Sequence, residues 1–204
     1  MSQARQNPSP SWLSPENAQF ITKGLSITVA SRDIRHVPSV SRALACRFAA
    51  SESAKPVSAK PASSKPVPSK TVPDNSADGS QLVVILSRSQ STLLLADVER
   101  SAQVAVVITE PSTHRTLQLK GGDAVVADAL EDDLAVVEAS RQHFAADILP
   151  LGFSGAYNDL LFHHESGDLC RIVFTPTDVF DQTPGVNAGS RIGPAAAGQD
   201  PLSP

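Results

Sequence analysis

Apolar residues fall in short runs broken by polar turns, and most of the runs alternate with period two. The first element breaks that rule. Ser14 can cap a short helix, Pro15 suits its first position, Glu16 complements the dipole and Gly24 can close it. Leu25–Ala30 alternates and carries β-branched residues, which predicts a strand. Residues 31–35 read as a turn. Val37–Phe48 alternates again and predicts a long second strand, with Pro38 confined to its start.

Gln81–Leu86 is apolar without alternation, as expected of a strand covered on both faces. Ser87-Arg88-Ser89-Gln90-Ser91 is rich in donors and leads into a helix over Thr92–Arg100. Gln103–Ile108 predicts a strand. After a turn at 110–112, Thr113–Lys120 predicts another, with Thr116, Gln118 and Lys120 on one face and Arg115, Leu117 and Leu119 on the other. Gly121-Gly122 allows a bend, and Ala124–Ala127 continues the strand. Asp128–Ile148 predicts a helix with Leu134, Val137 and Phe144 on its buried face. Gly155–His164 reads as a short helix. Leu169–Phe174 predicts the last strand, with an extension through Thr177–Phe180.

The tally is about six strands with peripheral helices. Consecutive β pairs point to a mainly β (α+β) domain, a small antiparallel barrel rather than a doubly wound sheet. Its limits are 14–183, between a disordered lead at 1–13 and a disordered tail at 184–204. Residues 51–80 interrupt it. Lysines recur there at 55, 60, 65 and 70, three of them followed by proline. Repeated Lys-Pro resists both helix and sheet ladder, so the stretch reads as a flexible insertion. It is either a tolerated surface loop or a recruiting segment for a partner.

Composition narrows the function. With 17 basic and 21 acidic residues the net charge is −4, so no footprint for nucleic acid is expected. No apolar window is long enough to span a membrane, and no secretory leader is read at the N-terminus. The expected location is the cytoplasm, with Cys46 and Cys170 reduced. Gly152-Phe-Ser-Gly155 lacks the spacing of a nucleophile elbow, and no glycine-rich dinucleotide motif or P-loop occurs. His163 and His164 are adjacent and diverge, so no metal site is expected. His36, His114 and His143 titrate near neutrality but read as surface or capping residues, and no catalytic acid or base is assigned.

The chemistry that remains is anion recognition. Hydroxyls, a guanidinium and backbone N–H groups at a helix start suit a phosphate dianion. Ser87, Arg88, Ser89 and Ser91 supply that set. With Arg115–Gly121 (RTLQLKG) and the order of elements, the chain resembles the pyridoxamine 5'-phosphate oxidase-like flavoproteins, an FMN-binding split β-barrel family. The resemblance spans about residues 14–187. It implies a homodimer with FMN at the subunit interface, and an oxidoreductase acting on a small-molecule substrate. It puts Ser87, Arg88, Ser89 and Ser91 on the FMN phosphate and Thr116 and Gln118 near the ring or ribityl chain, with Arg115 also among the cofactor-binding residues. The chain departs from the family pattern at the phosphate-loop lysine, where Thr92, Leu93 and Leu94 stand, and at the expected glutamine, which is Thr116. The alternative is a non-catalytic flavin- or haem-binding module of the same fold.

Overall fold

A computed structural model describes residues 13–49 and 81–193. The predicted lead, the Lys-Pro segment and the end of the tail lie outside the described residues.

The local signals for the first helix hold. Helix α1 runs Pro15–Thr22, and Ser14 Oγ accepts from Asn17 N at 3.1 Å. Gly24 then takes φ +79°, which a residue with a Cβ resists. Ten strands follow in chain order: β1 (Ser26–Arg32), β2 (Pro38–Ala43), β3 (Ala45–Phe48), β4 (Leu82–Ser87), β5 (Val104–Thr109), β6 (Thr116–Gly121), β7 (Val125–Asp128), β8 (Leu169–Phe174), β9 (Asp178–Asp181) and β10 (Ser190–Arg191). The other helices are α2 (Thr92–Ser101), α3 (Asp133–Ile148) and α4 (Gly155–Leu161).

The strands make two antiparallel sheets, ordered β10-β9-β6-β5-β1-β2 and β3-β4-β8-β7. This is the α+β split barrel. The predicted second strand is two strands, because Leu44 is where the chain leaves one sheet for the other. Up to Ala43 it pairs with β1, and from Ala45 it pairs with β4. Between them Leu44 N donates to Ile85 O at 2.8 Å. Similarly, β8 and β9 belong to different sheets, so the predicted extension past Phe174 is a separate strand.

Ile27, Val29, Val106, Ile108, Leu117 and Leu119 point from the six-stranded sheet into the barrel. Leu82, Val84, Leu86, Ile172 and Phe174 meet them from the other sheet. Every residue of β4 is buried, as its unbroken apolar run predicts. Its second face is covered by Val137, Phe144 and Ile148 of α3 and by Phe162 just after α4. Cys46 and Cys170 are both free and buried.

Four expectations are corrected. Helix α3 begins at Asp133, not 128, because residues 125–128 pair with β8. Its buried stripe is Asp133, Val137, Ser140, Phe144 and Ile148, which leaves Leu134 57% exposed. The strand predicted from Thr113 begins at Thr116, since His114 sits at φ +61° in the preceding turn. The chain also stays with the fold beyond 184: β10 pairs with β9, and Arg191 Nη2 lies 2.7 Å from Asp178 Oδ1.

The β3–β4 ladder closes at its open end. Phe48 pairs with Leu82, and Ala49 N donates to Gln81 O at 2.9 Å.

Candidate functional site

The donor-rich loop leaves the buried strand β4 at Ser87 and turns through Ser89–Ser91 into α2. Strand β8 pairs with β4 so that Leu169 faces Ser87. That register delivers Asp168 to the mouth of the loop, where its carboxylate is the shared acceptor. Ser89 N and Ser89 Oγ each donate to it at 2.9 Å, and the Ser87 hydroxyl donates as well. The backbone joins in, with Arg88 N donating to Asp168 O at 2.7 Å. The Ser87 hydroxyl is the main reason the Asp168 carboxyl is held below its ordinary 3.8.

The other two loop residues point elsewhere. Ser91 Oγ turns inward and lies 2.7 Å from Ser41 Oγ of β2, in a buried pair. Arg88 Nη2 donates to Asp128 Oδ1 at 2.7 Å. Arg88 and Asp128 stand at the rim of a cleft of about 750 Å³, whose walls include Leu130, Leu134, His164 and Leu169. His164 Nδ1 is 3.0 Å from Phe162 O. A carbonyl only accepts, so Nδ1 carries a proton, and in the neutral ring Nε2 is the acceptor nitrogen.

The second predicted group lies on the six-stranded sheet, whose edge strand β2 meets the loop through Ser41 and Ser91. Thr116 Oγ1 is 3.0 Å from Thr109 Oγ1 and donates to His114 O, also at 3.0 Å. Gln118 Oε1 accepts from Gln182 Nε2 at 3.2 Å. Arg115 is drawn to α1: its guanidinium stacks 4.3 Å from the Phe20 ring centroid, donates to Asn17 Oδ1 at 3.0 Å and pairs with Glu16 at 3.1 Å. It therefore anchors the first helix. His36, His114 and His143 are all exposed.

Thr116 and Gln118 belong to the outward face of the six-stranded sheet. Arg42, Thr28, Val107, Gln118 and Phe180 form one row across it, and Val40, Ala30, Ala105, Lys120 and Asp178 the next. Three strand steps separate Arg42 from Gln118, about 14 Å at the usual spacing. The middle of this face is small and apolar at Ala30, Ala105 and Val107, and Val40 on the edge strand is 64% exposed.

The residue that sequence reasoning missed on this face is Arg42. Its guanidinium lies 5.0 Å from the Phe144 ring and 5.5 Å from that of Phe162. Nη1 reaches Ser26 Oγ at 3.4 Å, but Nε and Nη2 are buried without an acceptor. Burial pushes its pKa down. In the sequence it is one arginine in an alternating strand. Only the packing of α3 and Phe162 over it makes it unusual.

The family resemblance implies FMN. The outward sheet face and Arg42 suit an aromatic, hydrogen-bonding group with an anionic edge. The loop suits a phosphate poorly, since its serine donors already serve Asp168.

No family model matches the chain, and no curated protein does. Among solved structures it is similar to HupZ of Group A Streptococcus, at 10% identity and TM-score 0.44, over 87% of this chain and 100% of that one. It is similar to a pyridoxamine 5'-phosphate oxidase-related, FMN binding protein of Nostoc punctiforme, at 12% identity and TM-score 0.40, over 92% and 89%. A third is HutZ, the haem storage protein of Vibrio cholerae, at 16% identity and TM-score 0.37, over 83% and 94%. The likeness lies in the fold.

Proposed function

We propose that two copies of the chain pair through the outward face of the six-stranded sheet and hold a planar cofactor of the flavin class, FMN being the first to test, in the groove between them. The observation that carries this reading is the contrast between the two sheets. Helix α3 and Phe162 cover the outer side of the four-stranded sheet. On the six-stranded sheet Thr28 and Val40 stay exposed, although Ala30, Ala105 and Val107 beside them offer a flat apolar surface. Such a face is buried in a stable protein by another layer. A second copy supplies one, and its isologous pairing brings Arg42 and Gln118 of both copies to the seam.

In that groove Gln118 would hydrogen-bond the edge of the ring, and Arg42, buried against Phe144 and Phe162 in the ligand-free chain, would have to turn outward to give its donors to an anionic edge. The bound flavin would supply hydride or electron transfer to a small organic molecule, as in an oxidoreductase. The protein's part is to hold and orient the ring. The compartment proposed is the cytoplasm. No helix among the described residues is long and apolar enough to cross a membrane.

Native mass spectrometry of the full chain, alone and with FMN or riboflavin, tests the reading. The expected species is twice 21.4 kDa, with flavin retained. A monomer that leaves the fluorescence of both flavins unchanged overturns it. Oxidation of reduced nicotinamide by the loaded protein separates an enzyme from a carrier.

A second reading, a haem-binding module, is favoured by His164. Its free Nε2 and the apolar walls of the cleft beside Arg88 are what an iron porphyrin uses. Addition of haemin would then give a sharp Soret band that is lost in His164→Ala.

A further inference from the structure

We propose that Asp168 is a resident anion seated where the sequence reserves room for a phosphate, and that it sets the ligand class: the chain selects an isoalloxazine whose side arm ends in a neutral group over the corresponding phosphomonoester. This inference rests on the flavin reading above for its ligand, though not for its geometry.

Three donors converge on this one carboxylate: Ser89 N, Ser89 Oγ and the Ser87 hydroxyl. They are the groups that would otherwise bind a phosphate. An entering phosphate would find them taken and would meet a like charge, which strongly disfavours it. The cation of the loop, Arg88, is turned away from these donors towards Asp128, at 2.7 Å in an exposed pair.

Nor is Asp168 free to swing aside. Its N–H donates to Glu165 O at 3.1 Å, its carbonyl accepts from Arg88 N, and the next residue is already paired with Ser87 in the β4–β8 ladder. The backbone of Asp168 is therefore fixed at the start of β8, and its carboxylate is held there by the three donors. A neutral hydroxyl-ended arm, by contrast, can donate to Asp168 without displacing it.

The test compares the full-length protein with Asp168→Ala and Asp168→Asn. The Asn variant keeps the size of the side chain and guards against a fold lost in the Ala variant. Each is titrated with riboflavin, FMN and inorganic phosphate, read by flavin fluorescence and thermal shift. The unaltered protein should bind riboflavin about tenfold more tightly than FMN and should ignore phosphate. In both variants FMN should gain about tenfold relative to riboflavin, and phosphate should raise the melting temperature saturably. An FMN-to-riboflavin ratio equal in all three proteins overturns the role of Asp168. If neither flavin binds any of them, the flavin reading falls, and phosphate alone decides. A phosphate response confined to the variants then supports Asp168 as the resident anion, and no response overturns it.

Discussion

Arg47 donates from Nη2 to Asp133 Oδ1 at 2.9 Å, and the carboxylate it meets has no exposed surface. The same carboxylate accepts from Arg47 Nε at 3.1 Å and Leu130 N at 2.7 Å, and lies 3.5 Å from Arg171 Nε. Strand β3, strand β8 and the start of α3 are thus tied at one point. Removing it would leave two partly buried guanidiniums without their counter-charge. Asp133→Ala should cost about 3–5 kcal/mol, measured as a fall in the urea midpoint at unchanged slope.

Arg42 is the opposite case. Two of its nitrogens are buried with no acceptor, between aromatic rings. A flexible apolar side chain fills that space without unpaired donors. Arg42→Met should leave the stability of the ligand-free protein unchanged or raise it by about 1 kcal/mol, and should weaken flavin binding. A clear loss of stability in urea would show that the guanidinium has an acceptor in solution.

The Asp168 contacts carry a pH signature. Its carboxyl titrates below its ordinary 3.8 in the folded chain, so the unfolded chain takes up the proton first. The stabilisation is complete above 3.8 and is lost as pH falls through the lower, folded value. The gap in unfolding midpoint between the protein and Asp168→Asn should be flat near neutrality and close below about pH 3.8.

The two thiols should be silent. Burial pushes the Cys46 thiol up to about 12 and that of Cys170 up to about 11. Cys46 Sγ also donates to Ile21 O at 2.8 Å. At mildly alkaline pH a disulfide-exchange reagent should label neither until urea unfolds the chain. Labelling of Cys46 in the native protein would mean that the barrel opens near α1.

Gly24 should tolerate nothing larger. A Cβ there would lie 2.5 Å from Ser140 Cα, with φ at +79°. Both the clash and the backbone conformation oppose it, so Gly24→Ala should cost about 2 kcal/mol or more by urea unfolding.

What the sequence disclosed was what is written in neighbouring residues. Ser14 and Pro15 define the start of α1 by contacts three residues apart. Leu117 and Leu119 go into the barrel because alternation puts them on the core side. What it hid depends on distant pairing. Nothing near Leu44 says that Ile85 will take its N–H, so the break in the long strand is invisible. Asp133 and Ser140 displace Leu134 from the buried stripe because Asp133 is neutralised by arginines from two other strands. The site shows the same division. Ser87, Arg88, Ser89 and Ser91 do form a donor-rich loop. That Asp168 occupies it follows from a β4–β8 register between strands that are not successive in the chain.

The rung between Ala49 and Gln81 has a practical meaning. Residues 49 and 81 are held one hydrogen bond apart by the β3–β4 ladder, whatever lies between them. The barrel therefore asks of that intervening stretch only that it leave and return at a single doorway. Loop-closure cost rises slowly with length. The position is thus a natural splice point: a short turn could replace the stretch, or a guest domain with neighbouring termini could be grafted in, with the outward sheet face and the Asp168 loop left as they are.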